Sequence, residues 1–429
     1  MNLKRITRLA LLAPALLLSA CNFKYVYTIE GLVIAGGDEY DDDIDDTGSY
    51  DIKVWVDDRI VNLTKSQIGQ FVNNSGGKYN INATVEPVSE GNAASSMLQD
   101  PQDGADIFVF AQDQLSRLKV GGALAKLNSS YVNYLTETMD QGAINAAKVN
   151  NDVYAFPITS DNGYFLYYDK SVISDAAAAN MTSLLAACKS AGKTLNFEAR
   201  SNGFYAASYF MATGCYSSWD IDSESGKFTG YHDTYNSAAG LVAAKAIRQL
   251  DDKSLVATNS QASKLGDKSA AVVSGVWEYD TAKKRLGTNL GCAPLPSFTV
   301  DDATYHLSSF DGYKLLGVKP QVDAKKASVC RKLARFLTSE AAQVERFNEA
   351  NWGPTNKEAA EDPAVLAHDG LQALKAQHEF AKPQGQCPGA WFTALATTAK
   401  AITAGATDAQ LRTILQNYEN GLQELLDSD

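Results

Sequence analysis

Residues 106–127, which read DIFVFAQDQLSRLKVGGALAKL, decide the fold. The five consecutive apolar residues IFVFA are typical of a strand that is buried on both faces. Apolar residues at helical spacing follow, and they end at Gly121 and Gly122, where a helix is expected to stop. A buried strand that runs directly into a helix predicts a βα unit of a mostly parallel sheet.

The same alternation continues on both sides of this stretch. Upstream, IKVWV (52–56) and INATVEPV (81–88) predict strands, and residues 60–73 and 92–99 predict helices. The downstream predictions are a strand at 153–159, helices at 176–191 and 236–250, a strand and turn at 270–279, a strand at 313–318, a helix–turn–helix at 322–350 and a helical tail at 391–427. This order predicts an α/β fold of two or three domains.

The N-terminus has the pattern of an export signal. Lys4, Arg5 and Arg8 precede the apolar run LALLAPALLL (9–18), which is shorter than the roughly 20 residues needed to span a bilayer. The following Leu-Ser-Ala-Cys ends at Cys21 and is similar to a bacterial lipobox. It predicts a signal peptide over 1–20 and lipidation of Cys21, which would anchor the protein to the cell membrane, facing the extracellular side or the periplasm. An ordinary secretory signal with an incidental cysteine is the alternative.

Residues 36–51, GGDEYDDDIDDTGSYD, form a strongly acidic run. Like charges repel and stay hydrated, so residues 21–50 are predicted to be a lipid-anchored acidic linker. A Ca²⁺-binding loop is the alternative, although the run lacks the central glycine and terminal glutamate of such a loop.

Charge and cysteine content exclude several classes of protein. The formal net charge of −12 argues against binding to nucleic acid, which requires basic patches. The five cysteines beyond Cys21 are scattered without a CxxC motif, and the four histidines are far apart, so no metal site and no cofactor is predicted. One or two disulfides are compatible with an exported protein, and their pairing cannot be deduced from the sequence. These cysteines are Cys188, Cys215, Cys292, Cys330 and Cys387.

An ordered set of segments carries a family resemblance. The set consists of IKVWVDD, ADIFVFAQDQLSRLKVGGALAKLN, VYAFPITSDNGYFLYYDKSVI, AAVVSGVWEYD, GCAPLPSF and SSFDGYKLLGV. In this order, behind a lipobox, it resembles the maltose/maltodextrin-binding proteins, which are extracellular solute-binding proteins of bacterial ABC importers. The similarity runs over residues 51–425 and is weakest in 220–265 and 355–390.

The resemblance implies a periplasmic-binding-protein-like fold of two α/β lobes with parallel-rich sheets. Three hinge crossings are expected near Thr159–Asn162, near Ser309–Gly312 and after residues 352–355. The N-terminal lobe would comprise residues 51–159 and 313–355, and the C-terminal lobe residues 160–309 and 356–429. Such a protein binds a saccharide in the cleft between its lobes and delivers it to the membrane permease of the transporter.

Candidate ligand contacts follow from the resemblance and from the chemistry of sugars. Sugar hydroxyls pair with carboxylates and amides, and the C–H faces of a sugar stack on aromatic rings. The candidates are Asp57, Asp58, Phe110, Asp113, Asp161, Asn162, Tyr209, Trp277, Glu278, Tyr279, Phe310 and Trp391. Trp277 is the strongest of them, because an indole that follows a turn is costly to leave uncovered.

Several candidates also have a purely structural interpretation. Phe110 and Tyr209 could pack in a core, and Asp113 could cap the helix that follows it. Gln114 stands where the family often has arginine. Asp161 and Asn162 could serve as turn residues of the first crossing, and the aromatic pair at 391–392 leaves a one-residue ambiguity over which ring faces the cleft.

Other functions leave few signs in the sequence. The chain contains no GxSxG, HExxH or GxxxxGK[ST] motif, so an enzyme is not predicted, although a glycoside hydrolase could draw on its many carboxylates. Acids and aromatic walls would also suit a polyamine, which is the main alternative ligand. A structural surface lipoprotein would be expected to contain low-complexity repeats, which are absent outside the acidic run.

Overall fold

A computed structural model of the protein describes residues 25–29, 32–36, 44–222 and 227–426. The predicted signal peptide, Cys21 and residues 37–43 of the acidic run lie outside these residues, whereas the end of that run, from Gly48 onward, lies in a strand. Within the described part of the chain, no helix combines the length and the apolar character needed to cross a membrane.

Strands and helices alternate along the described chain. The strands are Tyr25–Ile29 (β1), Leu32–Gly36 (β2), Gly48–Val56 (β3), Tyr79–Pro87 (β4), Ile107–Ala111 (β5), Lys148–Val149 (β6), Asp152–Val153 (β7), Ala155–Thr159 (β8), Phe165–Asp169 (β9), Thr194–Asn196 (β10), Ser217–Ile221 (β11), Phe228–Asp233 (β12), Val256–Ala257 (β13), Ser269–Ser274 (β14), Leu290–Ala293 (β15), Ser297–Val300 (β16), Ala303–His306 (β17), Phe310–Asp311 (β18), Lys314–Val318 (β19) and Lys382–Pro383 (β20). The helices are Val61–Asn74 (α1), Ala93–Gln99 (α2), Leu115–Val120 (α3), Ser129–Thr138 (α4), Gln141–Ala146 (α5), Asp175–Ala178 (α6), Met181–Ser190 (α7), Gly203–Ala212 (α8), Ala238–Arg248 (α9), Tyr279–Leu286 (α10), Ala324–Leu337 (α11), Glu340–Ala350 (α12), Pro363–Leu366 (α13), Asp369–Gln377 (α14), Ala390–Ala401 (α15) and Asp408–Leu425 (α16).

The N-terminal lobe is built on a five-stranded sheet in the order β4-β3-β5-β19-β8. β3 runs parallel to β4 and β5, and β19 runs antiparallel to β5 and β8. The residues of β5 are buried, as the apolar run predicts. Val54, Phe108 and Leu316 meet in one hydrophobic core with helices on both sides.

The C-terminal lobe repeats this arrangement with the order β13-β10-β14-β9-β15. β10 is parallel to β13 and β14, whereas β9 is antiparallel to β14 and β15. Its large core includes Phe197, Tyr209 and Phe210 and extends to α15 and α16. The predicted α/β fold with two lobes is confirmed.

Each sheet differs in one respect from the expected parallel-rich sheet, because each has two parallel and two antiparallel pairs of neighbouring strands. The antiparallel pairs all involve β9 or β19. Both strands enter their sheet directly from a crossing between the lobes, so they run against the strands that arrive through βα units.

The chain passes between the lobes at three crossings, which are hydrogen-bonded to one another. The first lies between β8 and β9, the second around β18, and the third between α12 and α13. Ser160 N donates to Gly353 O at 2.9 Å, and Asn162 N donates to Gly312 O at 3.1 Å. Gly353 N in turn donates to Asp161 Oδ2 at 2.9 Å. These bonds join the first crossing to the second and the third.

Candidate functional site

A cavity of about 980 Å³ lies between the two lobes beside the crossings, and we call it the first cavity. It belongs to the size range of about 300–1,000 Å³ that is typical of small-molecule sites. Its lining residues are Asp57, Arg59, Ser89, Glu90, Gly91, Ser95, Ala111, Asp113, Gln114, Arg117, Asn162, Asn202, Phe204, Tyr205, Trp277, Gln384, Cys387, Gly389, Ala390 and Phe392. The two walls differ in chemistry, since one is polar and the other is largely aromatic.

The polar wall comes from the N-terminal lobe, at the ends of its strands. Asp57 follows β3 directly and accepts a hydrogen bond from Arg59 N at 2.9 Å, while its carboxylate pairs with the Arg59 guanidinium at 2.9 Å. Burial would raise the pKa of Asp57, but the hydrogen bonds from Arg59 outweigh it and hold this pKa below its usual range. Asp57 is therefore a charged acceptor that is already oriented by a cation.

Asp113 lies on the same wall, in the turn that follows β5. It does not cap α3, whose N-cap residue is Gln114, and its Oδ1 instead accepts a hydrogen bond from Gln384 Nε2 at 2.9 Å. Desolvation raises the pKa of Asp113 to about 6. Gln114 donates to Gly91 O at 2.9 Å and accepts from Ala94 N at 3.1 Å, so this amide supports the start of α2.

The aromatic wall comes from the C-terminal lobe. Phe204 and Tyr205 lie in the first turn of α8, and Phe392 lies in the first turn of α15. Trp277 lies in a short turn between β14 and α10 and is half-buried. A Cβ atom at Gly275 would lie 2.1 Å from the Trp277 ring, so glycine at 275 allows the indole to lie flat against the backbone. These four rings line one side of the cavity.

A buried ion network lies beneath the polar wall. Lys314 Nζ is 3.2 Å from Glu90 Oε1 and 3.5 Å from Asp161 Oδ1, and it lies 4.4 Å from the centre of the Trp352 ring. Burial would lower the pKa of Lys314, but the carboxylates of Asp161 and Glu90 raise it above its usual value. The lysine charge thus joins the cavity wall to the first and third crossings.

The structure places four of the predicted contacts on the wall of the first cavity, namely Asp57, Asp113, Asn162 and Trp277. Asp58 is exposed next to Asp57 and does not line the cavity. Asp161 is fully buried in the ion network. Phe110 is also fully buried and belongs to the core of the N-terminal lobe.

The remaining predicted contacts lie behind the aromatic wall or beside it. Tyr209 is buried against Phe298, with ring centres 5.0 Å apart. Glu278 Oε2 accepts a hydrogen bond from Ala262 N at 2.8 Å, and the Tyr279 ring packs on His368. Phe310 and Trp391 do not line the first cavity.

Those two rings line a second cavity of about 630 Å³, which lies on the other side of β18 and β20. Gln384 and Cys387 line both cavities. Trp391 Nε1 donates to Tyr418 OH at 2.9 Å, which turns its indole away from the first cavity, and the neighbouring Phe392 lines that cavity instead.

Sequence reasoning missed Arg59, Glu90, Arg117, Phe204 and Gln384. Phe204 has a readable signal, because it follows the helix-capping Asn202 whose side chain accepts from Phe204 N at 3.0 Å. Phe204, the second residue of α8, could therefore have been chosen over Tyr209, which lies five residues further along the same helix. Gln384 has no such signal, since it lies in a segment without regular structure.

No cluster of three or more potential metal-ligating side chains occurs among the residues that the structure describes. Cys188, Cys215, Cys292 and Cys330 are free thiols. Burial raises the pKa of Cys188 to about 11 and of Cys292 to about 12, so these thiols are poor nucleophiles at neutral pH. The polar and aromatic walls of the first cavity can together hold a polar ligand that has flat apolar faces.

Comparison with known proteins gives one family and one fold. The family described as "Bacterial extracellular solute-binding protein" matches residues 71–373, which is more than half of the 429-residue chain. A galactooligosaccharide-binding protein of Bacillus subtilis (strain 168) is 31% identical over 121 residues. That match covers 28% of this chain and 27% of the relative, so the chain spans about a quarter of the length of this curated protein.

Solved structures of similar shape cover nearly the whole chain. A structure determined with acarbose has a TM-score of 0.76 at 25% identity and covers 88% of this chain and 100% of its own. The maltodextrin-binding protein of L. casei BL23, solved without ligand, has a TM-score of 0.73 at 21% identity. The match covers 88% of this chain and 99% of that chain. The maltose-maltodextrin binding protein of Alicyclobacillus acidocaldarius has a TM-score of 0.70 at 19% identity. The match covers 87% of this chain and 100% of that chain.

Proposed function

The chain belongs to the bacterial extracellular solute-binding protein family, and on this basis we propose that it captures an oligosaccharide of the maltodextrin type in the first cavity. It then delivers the sugar to the membrane permease of an ABC importer. The protein does no chemistry on the ligand, because its task is to hold the sugar between two lobes that close over it.

The observation that carries this proposal is the opposition of the two walls. Phe204, Trp277 and Phe392 offer flat apolar faces on one side, whereas Asp57 and Asp113 offer hydrogen-bond acceptors on the other. A pyranose ring has the same division, with C–H faces and a rim of hydroxyl groups. Sugar rings are therefore expected to stack on the C-terminal lobe and to donate hydrogen bonds to the N-terminal lobe.

The charges of the polar wall favour a neutral sugar over a polyamine. Asp57 is already paired with Arg59, and Glu90 with Lys314. Arg117 adds a further positive charge to the wall. A polycation would meet these cations at close range and find two of the acids already neutralised, so its binding is disfavoured.

The same pairing argues against a glycoside hydrolase. Such an enzyme needs one free carboxylate and one carboxylic acid on either side of the scissile bond. Among the acids that line the first cavity, Asp57 is paired with Arg59, which holds its pKa below the usual range, and Glu90 is paired with Lys314, so Asp113 has no free carboxylate as a partner. The solved relatives named for their maltodextrin ligands are binding proteins, which agrees with a binding role.

The anchor and the limits of the lobes are part of the proposal. Lipidation of Cys21 would hold the protein at the outer face of the membrane through the acidic linker over 21–50. The N-terminal lobe comprises 51–159 and 313–355, and the C-terminal lobe comprises 160–309 and 356–429. The separate hydrophobic cores, which include Phe108 and Phe210 respectively, support this division.

A thermal-shift screen tests the ligand class. Maltose, maltotetraose, acarbose, a galactotriose, spermidine and putrescine are added at graded concentrations, because a ligand that binds only the folded protein raises its melting temperature. We expect a rise with at least one oligosaccharide and none with the polyamines. A rise with a polyamine alone would refute the proposal.

Substitution of Trp277 tests the site itself. Trp277→Ala removes the stacking surface and is expected to weaken saccharide binding at least tenfold, about 1.4 kcal/mol or more. Trp277→Phe keeps a ring and serves as the matched control with a smaller loss. Calorimetric titration measures the saccharide affinity of both variants. An unchanged affinity in Trp277→Ala would mean that the ligand binds elsewhere.

A further inference from the structure

The side chain of Gln384 joins the two lobes at the first cavity. Its Nε2 donates to Asp113 Oδ1 at 2.9 Å, and its Oε1 accepts a hydrogen bond from Asn162 Nδ2 at 2.9 Å. Asp113 belongs to the N-terminal lobe, Asn162 to the first crossing, and Gln384 to the segment between β20 and α15 that packs on the C-terminal lobe. One amide therefore joins its own segment to the N-terminal lobe and to the first crossing.

The second crossing leaves room for this amide. A Cβ atom at Gly312 would lie 2.4 Å from Gln384 Oε1, 2.8 Å from Asn162 O and 3.1 Å from Asn162 Nδ2. Real Cβ atoms do not approach polar atoms so closely, so any other residue at 312 would displace the Gln384 amide or the crossing. The site of the amide is thus formed by two crossings together.

The bond from Gln384 determines how Asp113 can meet a ligand. A carboxylate has two oxygens, and Gln384 donates to Oδ1 of Asp113, a residue that lines the first cavity, so Oδ2 is the oxygen left for a ligand. A donor at one oxygen also stabilises the charged form of a carboxylate that desolvation otherwise disfavours. Binding groups work best when neighbouring side chains fix their orientation.

We propose that Gln384 is a positioning residue of the sugar site, whose amide holds the Asp113 carboxylate ready for a ligand hydroxyl and links that contact to the relative position of the lobes. This inference rests on the proposed function, because it requires a saccharide in the first cavity. Gln384 does not have to touch the sugar, and its effect passes through Asp113.

Substitution by glutamate separates hydrogen bonding from packing. Gln384→Glu keeps the size of the side chain but replaces the donor Nε2 with an oxygen that faces the Asp113 carboxylate. We expect affinity for maltotetraose or galactotriose, measured by calorimetric titration, to fall at least about tenfold. Gly312→Ala is expected to act in the same direction, and Gln372→Glu on the exposed face of α14 is the matched control with no change.

A second measurement does not depend on any ligand. The carboxyl ¹³C signal of Asp113, identified by its loss in Asp113→Asn, is titrated in the folded protein without sugar. Gln384→Leu removes the donor and is expected to raise the pKa of Asp113, while the other charged residues of the wall, Asp57, Arg59, Glu90 and Arg117, are unchanged. A purely structural role for Gln384 would leave this titration where it is.

The outcomes distinguish the two proposals. If no saccharide binds the unmodified protein but the Asp113 titration moves in Gln384→Leu, the sugar function fails and the contact between Gln384 and Asp113 stands. If sugars bind and Gln384→Glu retains full affinity, the positioning role is refuted whatever the titration shows. An unmoved titration in Gln384→Leu refutes it as well.

Discussion

At the residue scale, Asp113 combines a predictable position with an unpredictable environment. Its place two residues after a buried strand predicts a position at the edge of the sheet, and the structure puts it on the wall of the first cavity. Its partner Gln384 lies far along the chain in a segment without any pattern. A contact of that kind depends on how the two lobes meet, which local sequence does not encode.

Asp113 gives a pH-dependent stability that can be measured. Its pKa is raised to about 6 in the folded protein, above the value of about 3.9 in an unfolded chain. The folded state therefore holds the proton more tightly, and the stability gained from it is present below about pH 3.9 and lost as the pH rises through 6. Asp113→Asn cannot ionise and avoids this loss.

We expect Asp113→Asn to be more stable than the unmodified protein at pH 8, by about 1 kcal/mol, since partial exposure of the side chain reduces the full linkage value. The difference should shrink towards zero at pH 4. Urea unfolding of both proteins at the two pH values measures it. A variant that is less stable at pH 8 would show that the charged carboxylate is favoured, contrary to the assigned shift.

The aromatic residues show the limits of the sequence most clearly. Trp277 could be placed on the cavity because a tryptophan after Gly275 at a strand end has few other places to pack. Tyr209 and Trp391 could not be distinguished from Phe204 and Phe392, because all four lie on apolar helices. Which ring faces the cavity depends on helix rotation of less than one turn, and that is set by tertiary packing.

At the element scale, apolar periodicity located most strands and helices but not their breaks. The predicted helix over 60–73 is α1, and the predicted strand over 81–88 is β4 with its ends shifted. The helix predicted over 176–191 is divided into α6 and α7, because Asn180 leaves the helical conformation and caps α7 by accepting from Thr182 N at 3.0 Å. Asparagine favours such a cap over a helix interior.

β19 carries a feature that periodicity did not reveal, a fully buried lysine. Lys314 is 1% exposed and lies between Asp161 and Glu90. A buried charge is tolerated only when it is paired, so removal of one member leaves the others uncompensated. The network fixes β19, the first crossing and the cavity wall relative to one another.

Lys314→Met is therefore expected to destabilise the protein by about 3–5 kcal/mol. The double variant Lys314→Met, Asp161→Asn should recover part of this loss, because it removes the unpaired acid while an amide oxygen can still accept from Gly353 N. Lys375→Met, on the exposed face of α14, is the control with little effect. Denaturant unfolding of the four proteins tests the coupling, and equal losses in the single and double variants would contradict it.

At the scale of the whole molecule, the two lobes and three crossings create the conditions for closure. Each lobe has its own sheet and core, and the chain passes between them only at the three crossings, so a closure of the lobes would require backbone rotation at those crossings. The order of segments predicted this architecture, because the alternation of strands and helices can be read from local patterns along the chain. The pairing between the lobes was not predictable, since it joins residues more than 190 positions apart, such as Asp161 and Gly353.

A ligand that bridges both lobes shifts the population towards the closed form by the difference in its affinity for the two forms. Small-angle X-ray scattering should therefore show a smaller radius of gyration when maltotetraose or another oligosaccharide that raises the melting temperature is added. Trp277→Ala at the same sugar concentration should keep the radius of the free protein, because its C-terminal lobe lacks the stacking surface. Tight binding of a saccharide without any compaction would mean that the sugar contacts one lobe alone. That result would contradict the proposal that both lobes bind the sugar in the first cavity.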